Sequence, residues 1–120
     1  MVKNWLALAD DLSKAVGQLH AGIPDVMKAF RSVDAAATAA GALNEKTKEL
    51  MALALAVATR CDGCIAFHAR ACVKYGATRA EVMETVGMAV VMGGGPSVMY
   101  GSLAVEAFDQ FMEKKAAEPA

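Results

Sequence analysis

The segment from Glu49 to Ala58 constrains this chain more than any other. After Glu49 come Leu50, Met51, Leu53, Ala54, Leu55, Val57 and Ala58, which leave almost no polar face on a helix. A helix apolar all round is buried on all sides. The segment is therefore expected at the centre of the fold, and it leads directly into Cys61-Asp62-Gly63-Cys64-Ile65-Ala66-Phe67-His68. Thr59 to Gly63 is the predicted turn, with Asp62 as a potential cap for a helix from about Gly63 to Tyr75.

The remaining punctuation divides the chain into helices. A first helix is predicted from about Asn4 to His20, with Trp5, Leu8, Leu12, Ala15, Val16 and Leu19 as its apolar stripe. Pro24 opens a second, to about Ala40, carrying Val26, Met27, Phe30, Val33 and Ala37, and Gly41 stops it. Asn44 is a good N-cap for the central helix, and Glu45 suits its first turn. Thr78-Arg79-Ala80-Glu81 has the capping-box spacing and starts a fifth helix. Gly93-Gly94-Gly95 ends it, and Pro96 starts a sixth that reaches about Lys114, before a tail, Ala116 to Ala120, expected to fray. Ala and Met are plentiful while β-branched and aromatic residues are sparse, which favours helix. The expectation is an all-α bundle of about six helices.

At 120 residues the chain suits a single domain spanning 1–120. Its hydrophobic fraction, 56%, exceeds the usual share of about half, and the surplus is expected to cover a subunit interface. A net charge of -1 without a basic cluster argues against nucleic acid or anionic membrane partners. Thr85 to Val105 is uncharged and long enough to span a bilayer. The glycine run and Pro96 interrupt it, so it reads as a buried helix–turn–helix. No secretory signal is evident, and three cysteines are too few for a secreted disulfide framework. A cytoplasmic protein is expected.

The chemistry centres on the two cysteines. Helix N-termini favour thiolates, because the dipole and unpaired amides stabilise negative charge. On a helix His68 is one turn past Cys64 and about two turns past Cys61. Cys64 is therefore assigned as the attacking thiolate and Cys61 as the partner that closes a small disulfide. Glu49 is a lone carboxylate on an apolar helix and needs a partner. It would stand about 16 Å up one arm of the turn and His68 about 8 Å up the other, a mismatch that helix crossing or a long side chain could bridge. A carboxylate there would orient the imidazole and raise its basicity. The alternative is exposure in the first turns beside Lys46 and Lys48.

A structural zinc site on Cys61, Cys64, His68 and Cys72 is the weaker reading. Cys61 and Cys72 would stand about 16 Å apart on a continuous helix, and structural zinc ligands usually come from two segments. No metal and no cofactor are expected, and Cys72 reads as a small buried hydrophobe. His20, at a helix C-terminus, reads as a surface residue. Met83, Met88, Met92 and Met99 read as core or interface filler.

Glu49, eleven intervening residues, then Cys61-x-x-Cys64-x-x-x-His68 resembles the signature of the alkylhydroperoxidase D-like, carboxymuconolactone decarboxylase superfamily. Tyr75-Gly76-Ala77-Thr78 and Gly93-Gly94-Gly95-Pro96 are similar to turns of that family, and the similarity covers about residues 43–111. The resemblance implies an all-helical homo-oligomer, a trimer or hexamer. It also implies thiol peroxidase chemistry with a hydroperoxide substrate, an external dithiol reductant, and His68 and Glu49 as proton relay. Gly63 departs from the pattern, since alkylhydroperoxidase D has a histidine inside its CxxC. The decarboxylase branch lacks the redox CxxC, which makes lactone decarboxylation the weaker carry-over. A non-enzymatic redox sensor or an oligomeric interaction protein is the alternative from a different class.

Overall fold

The computed structural model describes residues 1–119. Six α-helices follow one another: α1 (Trp5–Gly22), α2 (Pro24–Thr38), α3 (Glu45–Ala58), α4 (Asp62–Lys74), α5 (Arg79–Gly93) and α6 (Gly95–Ala117). The expected all-α architecture is observed, and the caps explain where most helices begin. Asn4 Oδ1 accepts from the Ala7 amide at 3.0 Å, and Asn44 Oδ1 accepts from the Thr47 amide at 2.8 Å. Thr78 and Glu81 form the reciprocal capping box, with bonds of 3.1 and 2.8 Å. Pro24 and Pro96 lie in the first turns of α2 and α6, where the missing N–H costs nothing.

The core lies among α3, α4, α5 and α6, with the start of α1 closing one end. Leu53 and Val57 of α3, Ile65 and Cys72 of α4, Val82 of α5 and Phe108 of α6 are fully buried, and so is Trp5. Burying each large apolar side chain contributes about 1.5–3 kcal/mol. Close approach of α5 and α6 depends on Gly101, where an added Cβ would lie 2.6 Å from Val86 Cγ1. Gly94 alone joins these helices at φ 66°, a left-handed conformation suited to glycine.

Several boundaries and faces differ from the sequence expectation. α4 starts at Asp62 rather than Gly63, and its N-cap is Cys61, whose Sγ accepts from the Cys64 amide at 3.2 Å. The sixth helix runs to Ala117, three residues further than expected, because nothing breaks it after Lys114; Ala120 lies outside the described residues. α3 is covered on one side only. Leu53, Ala56 and Val57 face the core that α3 shares with α4, α5 and α6, but Met51 is 49% and Leu55 63% exposed. Among the described residues α2 buries none, and its Val26, Phe30 and Val33 are at least 62% exposed. Among the described elements it packs against α1 and α3.

The α5–α6 hairpin is likewise buried along one face, through Val86, Ala89, Ser97 and Ala104, while Met88, Val91, Met92 and Met99 face outward. No helix among the described residues is long and apolar enough to cross a membrane.

Candidate active site

The turn between α3 and α4 builds the site. α3 ends at Ala58, and the Thr59 amide closes its last turn on Leu55. Arg60 takes φ 57°, a left-handed conformation that reverses the chain. Cys61 then adopts an extended backbone and caps α4. This local geometry sets Cys61 and Cys64 with Cα atoms 5.2 Å apart and their sulfurs joined as a disulfide. Both sulfurs therefore stand at the positive end of a helix dipole, where an amide already points at one of them.

One turn along α4, His68 Nδ1 lies 2.7 Å from Glu49 Oε2 across the α3–α4 interface. The mismatch in axial height expected from spacing is bridged by packing α3 directly against α4. Glu49 is 7% exposed and so is not in the solvated first turns. The carboxylate oxygen accepts this bond, so Nδ1 donates it and, when the ring is neutral, Nε2 keeps the lone pair. His68 borders two clefts. One, of about 230 Å³, is lined by Ala52, Leu55, Ala56, Thr59, Cys64 and His68 and is mostly apolar. The other, of about 380 Å³, brings Glu49 and His68 together with Phe67, Arg70 and Tyr75. The imidazole thus bridges the cysteine side and the carboxylate side of the α3–α4 seam.

The third cysteine plays a different part. Cys72 is buried in the core, and burial, followed by the Glu49 charge, pushes its thiol up to about 12. A thiol so shifted carries almost no thiolate near neutrality. Among the described residues no group of three His, Cys, Asp or Glu side chains is arranged to hold a metal ion.

Gly63, inside the motif, faces α1. A Cβ built there would lie 3.0 Å from Leu12 Cδ1, so a side chain at this position requires Leu12 to shift. Asp62 was anticipated only as a cap. Its carboxylate instead pairs with Lys3 Nζ, a residue fifty-nine positions away. No sequence signal links these two, because no periodicity or motif spans that distance.

An all-helical protein with a sulfur pair at the head of one helix and a His–Glu pair one turn further along is the class that fold and site define. The profile of the carboxymuconolactone decarboxylase family matches residues 24–107, and the chain belongs to that family. An uncharacterized protein of Cupriavidus necator is 40% identical over 99 residues, covering 82% of this chain and 88% of the relative. Uncharacterized protein 4 in the cox locus of Paracoccus denitrificans is 31% identical over 98 residues, again 82% and 88%.

Among solved structures, a carboxymuconolactone decarboxylase family protein from Legionella pneumophila superposes with a TM-score of 0.87 at 50% identity, over 89% of this chain and 96% of that one. A family protein from Thermotoga maritima, described with an antioxidative response as its suggested role, gives 0.78 at 31% identity over 88% and 93%.

Proposed function

We propose that the chain is a thiol-dependent hydroperoxidase. The observation that carries this reading is the 2.7 Å bond from His68 Nδ1 to Glu49, which orients the imidazole on a cleft it shares with Cys64. In the reduced protein His68 takes the Cys64 proton, and the helix N-terminus favours the resulting thiolate. The thiolate attacks the terminal oxygen of a hydroperoxide ROOH. The O–O bond breaks, Cys64 becomes a sulfenic acid, and ROH leaves after taking the proton held by His68. The Cys61 thiol then displaces water from the sulfenic acid and closes the Cys61–Cys64 disulfide. An external dithiol supplies two electrons and two protons to restore both thiols. The antioxidative description of the Thermotoga relative agrees with this chemistry.

The partners follow from the same reading: a hydroperoxide, a dithiol reductant and further copies of this chain. The apolar faces of α2 (Val26, Phe30, Val33) and of α3 and α5 (Met51, Leu55, Met88, Met92) support assembly as a trimer or hexamer. Light scattering of the purified protein tests this, and a monomer at micromolar concentration would overturn it.

The test of the activity is a count of thiols by intact mass before and after one equivalent of hydroperoxide, followed by turnover with a dithiol. Loss of two thiols, mapped to Cys61 and Cys64, and sustained peroxide consumption are expected. Cys64→Ser should abolish both. Stoichiometric oxidation without cycling would identify a redox sensor instead.

A further inference from the structure

The peroxidase cycle leaves the one charged residue of the Cys61–Cys64 motif without a part. Asp62 is the first residue of α4, between the two cysteines. A carboxylate suits a helix N-terminus. It also lies two residues from Cys64, whose sulfur must carry negative charge, and like charges oppose each other's ionisation. That carboxylate is ion-paired with Lys3 Nζ.

The segment bearing Lys3 is strapped to α6. Glu106 accepts from the Val2 amide at 2.7 Å and from both the Lys3 amide and the Trp5 indole at 2.9 Å. Gln110 accepts from the Trp5 amide at 2.7 Å and donates to the Lys3 carbonyl at 2.8 Å. Trp5 itself is fully buried. Five hydrogen bonds and a buried indole hold the strap without help from the lysine ammonium. The strap therefore delivers a cation to the dithiol motif rather than depending on that cation for its own attachment.

We infer that Lys3 is a positioning residue for the Cys61–Cys64 couple, setting its redox poise by neutralising Asp62. This rests on the reading of the two cysteines as a redox couple. When an external dithiol reduces the pair, the S–S bond breaks and the reductant, giving two electrons and two protons, becomes a disulfide. Cys61 takes one proton; Cys64 is released as thiolate and the second proton passes to His68, as in the proposed cycle. New negative charge appears only in the reduced state, so an uncompensated Asp62 destabilises that state alone.

The other titratable groups that the seam and the turn bring near the motif include His68 of α4, Glu49 of α3 and exposed Arg60. α1 presents apolar Leu12 to Gly63. None of these is altered when Lys3 or Asp62 is substituted.

The test equilibrates the full chain at pH 8 with graded ratios of reduced and oxidised dithiothreitol and counts thiols by mass. Lys3→Met is expected to lower the equilibrium constant for reduction about threefold, which is a potential roughly 15 mV more reducing. Asp62→Asn should move it by a similar factor in the opposite direction. Lys3→Met added to Asp62→Asn should return the constant toward the wild-type value, because both charges are then gone. Lys3→Arg should keep the wild-type value, and 1 M salt should shrink the Lys3→Met shift by screening.

An unchanged constant in Lys3→Met, with the wild-type couple poising normally, would overturn the inference. So would Lys3→Met and Asp62→Asn moving the constant in the same direction, as a purely structural pair would. If the wild-type pair never exchanges between dithiol and disulfide, the redox reading itself fails and the inference falls with it.

Discussion

His68 of α4 and Glu49 of α3 meet through a single 2.7 Å bond, Nδ1 to Oε2, across the seam that also carries Cys64. The carboxylate is nearly buried and the imidazole is not, so the pair has a fixed inner end and an accessible outer one. That arrangement suits a base that must meet a substrate while keeping its tautomer.

His68→Ala is expected to slow peroxide consumption by about 10² or more, the usual contribution of a positioned general base. Glu49→Gln keeps the shape but not the charge and should cost about tenfold. Steady-state turnover with a dithiol reductant measures both. Equal activity in Glu49→Gln and the wild type would remove Glu49 from the mechanism.

Cys72 should be chemically silent. With its thiol pushed up to about 12, only about one molecule in 10⁴ is ionised there at pH 8. Alkylation of the reduced native protein should therefore stop at Cys61 and Cys64, and unfolding should release a third reactive thiol. Cys72→Ala should retain peroxidase activity. Loss of activity equal to that of Cys64→Ser would contradict the separation of structural and reactive cysteines.

Acid should loosen the N-terminal strap. The Lys3 amide, followed by the Val2 amide, holds Glu106 below the usual carboxylate range. A value lower in the folded chain than in the unfolded one means that folding releases protons here. The resulting stabilisation is complete above the ordinary carboxylate pKa of about 4.3 and is lost as pH falls through the lower folded value. Trp5, the only tryptophan, reports the strap by fluorescence. An acid transition is expected in the wild type and a much weaker one in Glu106→Gln.

Gly101→Ala should destabilise the protein by about 1–3 kcal/mol through overpacking, because the new methyl would meet Val86 Cγ1 at 2.6 Å. Thermal melting measures the loss. Pairing it with Val86→Ala should recover part of the stability, since the two changes share one contact.

Gly63→His would place in this chain the histidine that alkylhydroperoxidase D has inside its CxxC. A side chain there requires Leu12 to shift, so a lower melting temperature is expected, with partial recovery in a Leu12→Ala background. Melting curves of the single and double variants decide this.

Much of this organisation was legible in the sequence because it is local. Asn44, Thr78 and Glu81 mark helix starts by chemistry that acts over three residues. The Cys64–His68 spacing places both on one face for the same reason. What was not legible involves one element meeting another. Periodicity identified the apolar stripe of α2, yet Phe30 is 63% exposed; an apolar face says only that something should cover it. The all-round apolar character of α3 suggested complete burial, whereas Met51 and Leu55 point away from the core of a single chain. Lys3 and Asp62 were separately unremarkable, and only the path of α6 past the N-terminus brings them together.

The sulfur of Cys61 also serves as the N-cap of α4, accepting from the Cys64 amide. Sulfur is a weak acceptor, and serine or aspartate would hold that helix start better by about 0.5–1 kcal/mol. The reduced protein thus gives up conformational stability at the position where the proposed chemistry requires a thiol, a local trade-off between durability and reactivity. Compared with the reduced wild type, Cys61→Ser should be the sturdier protein and should never close the ring.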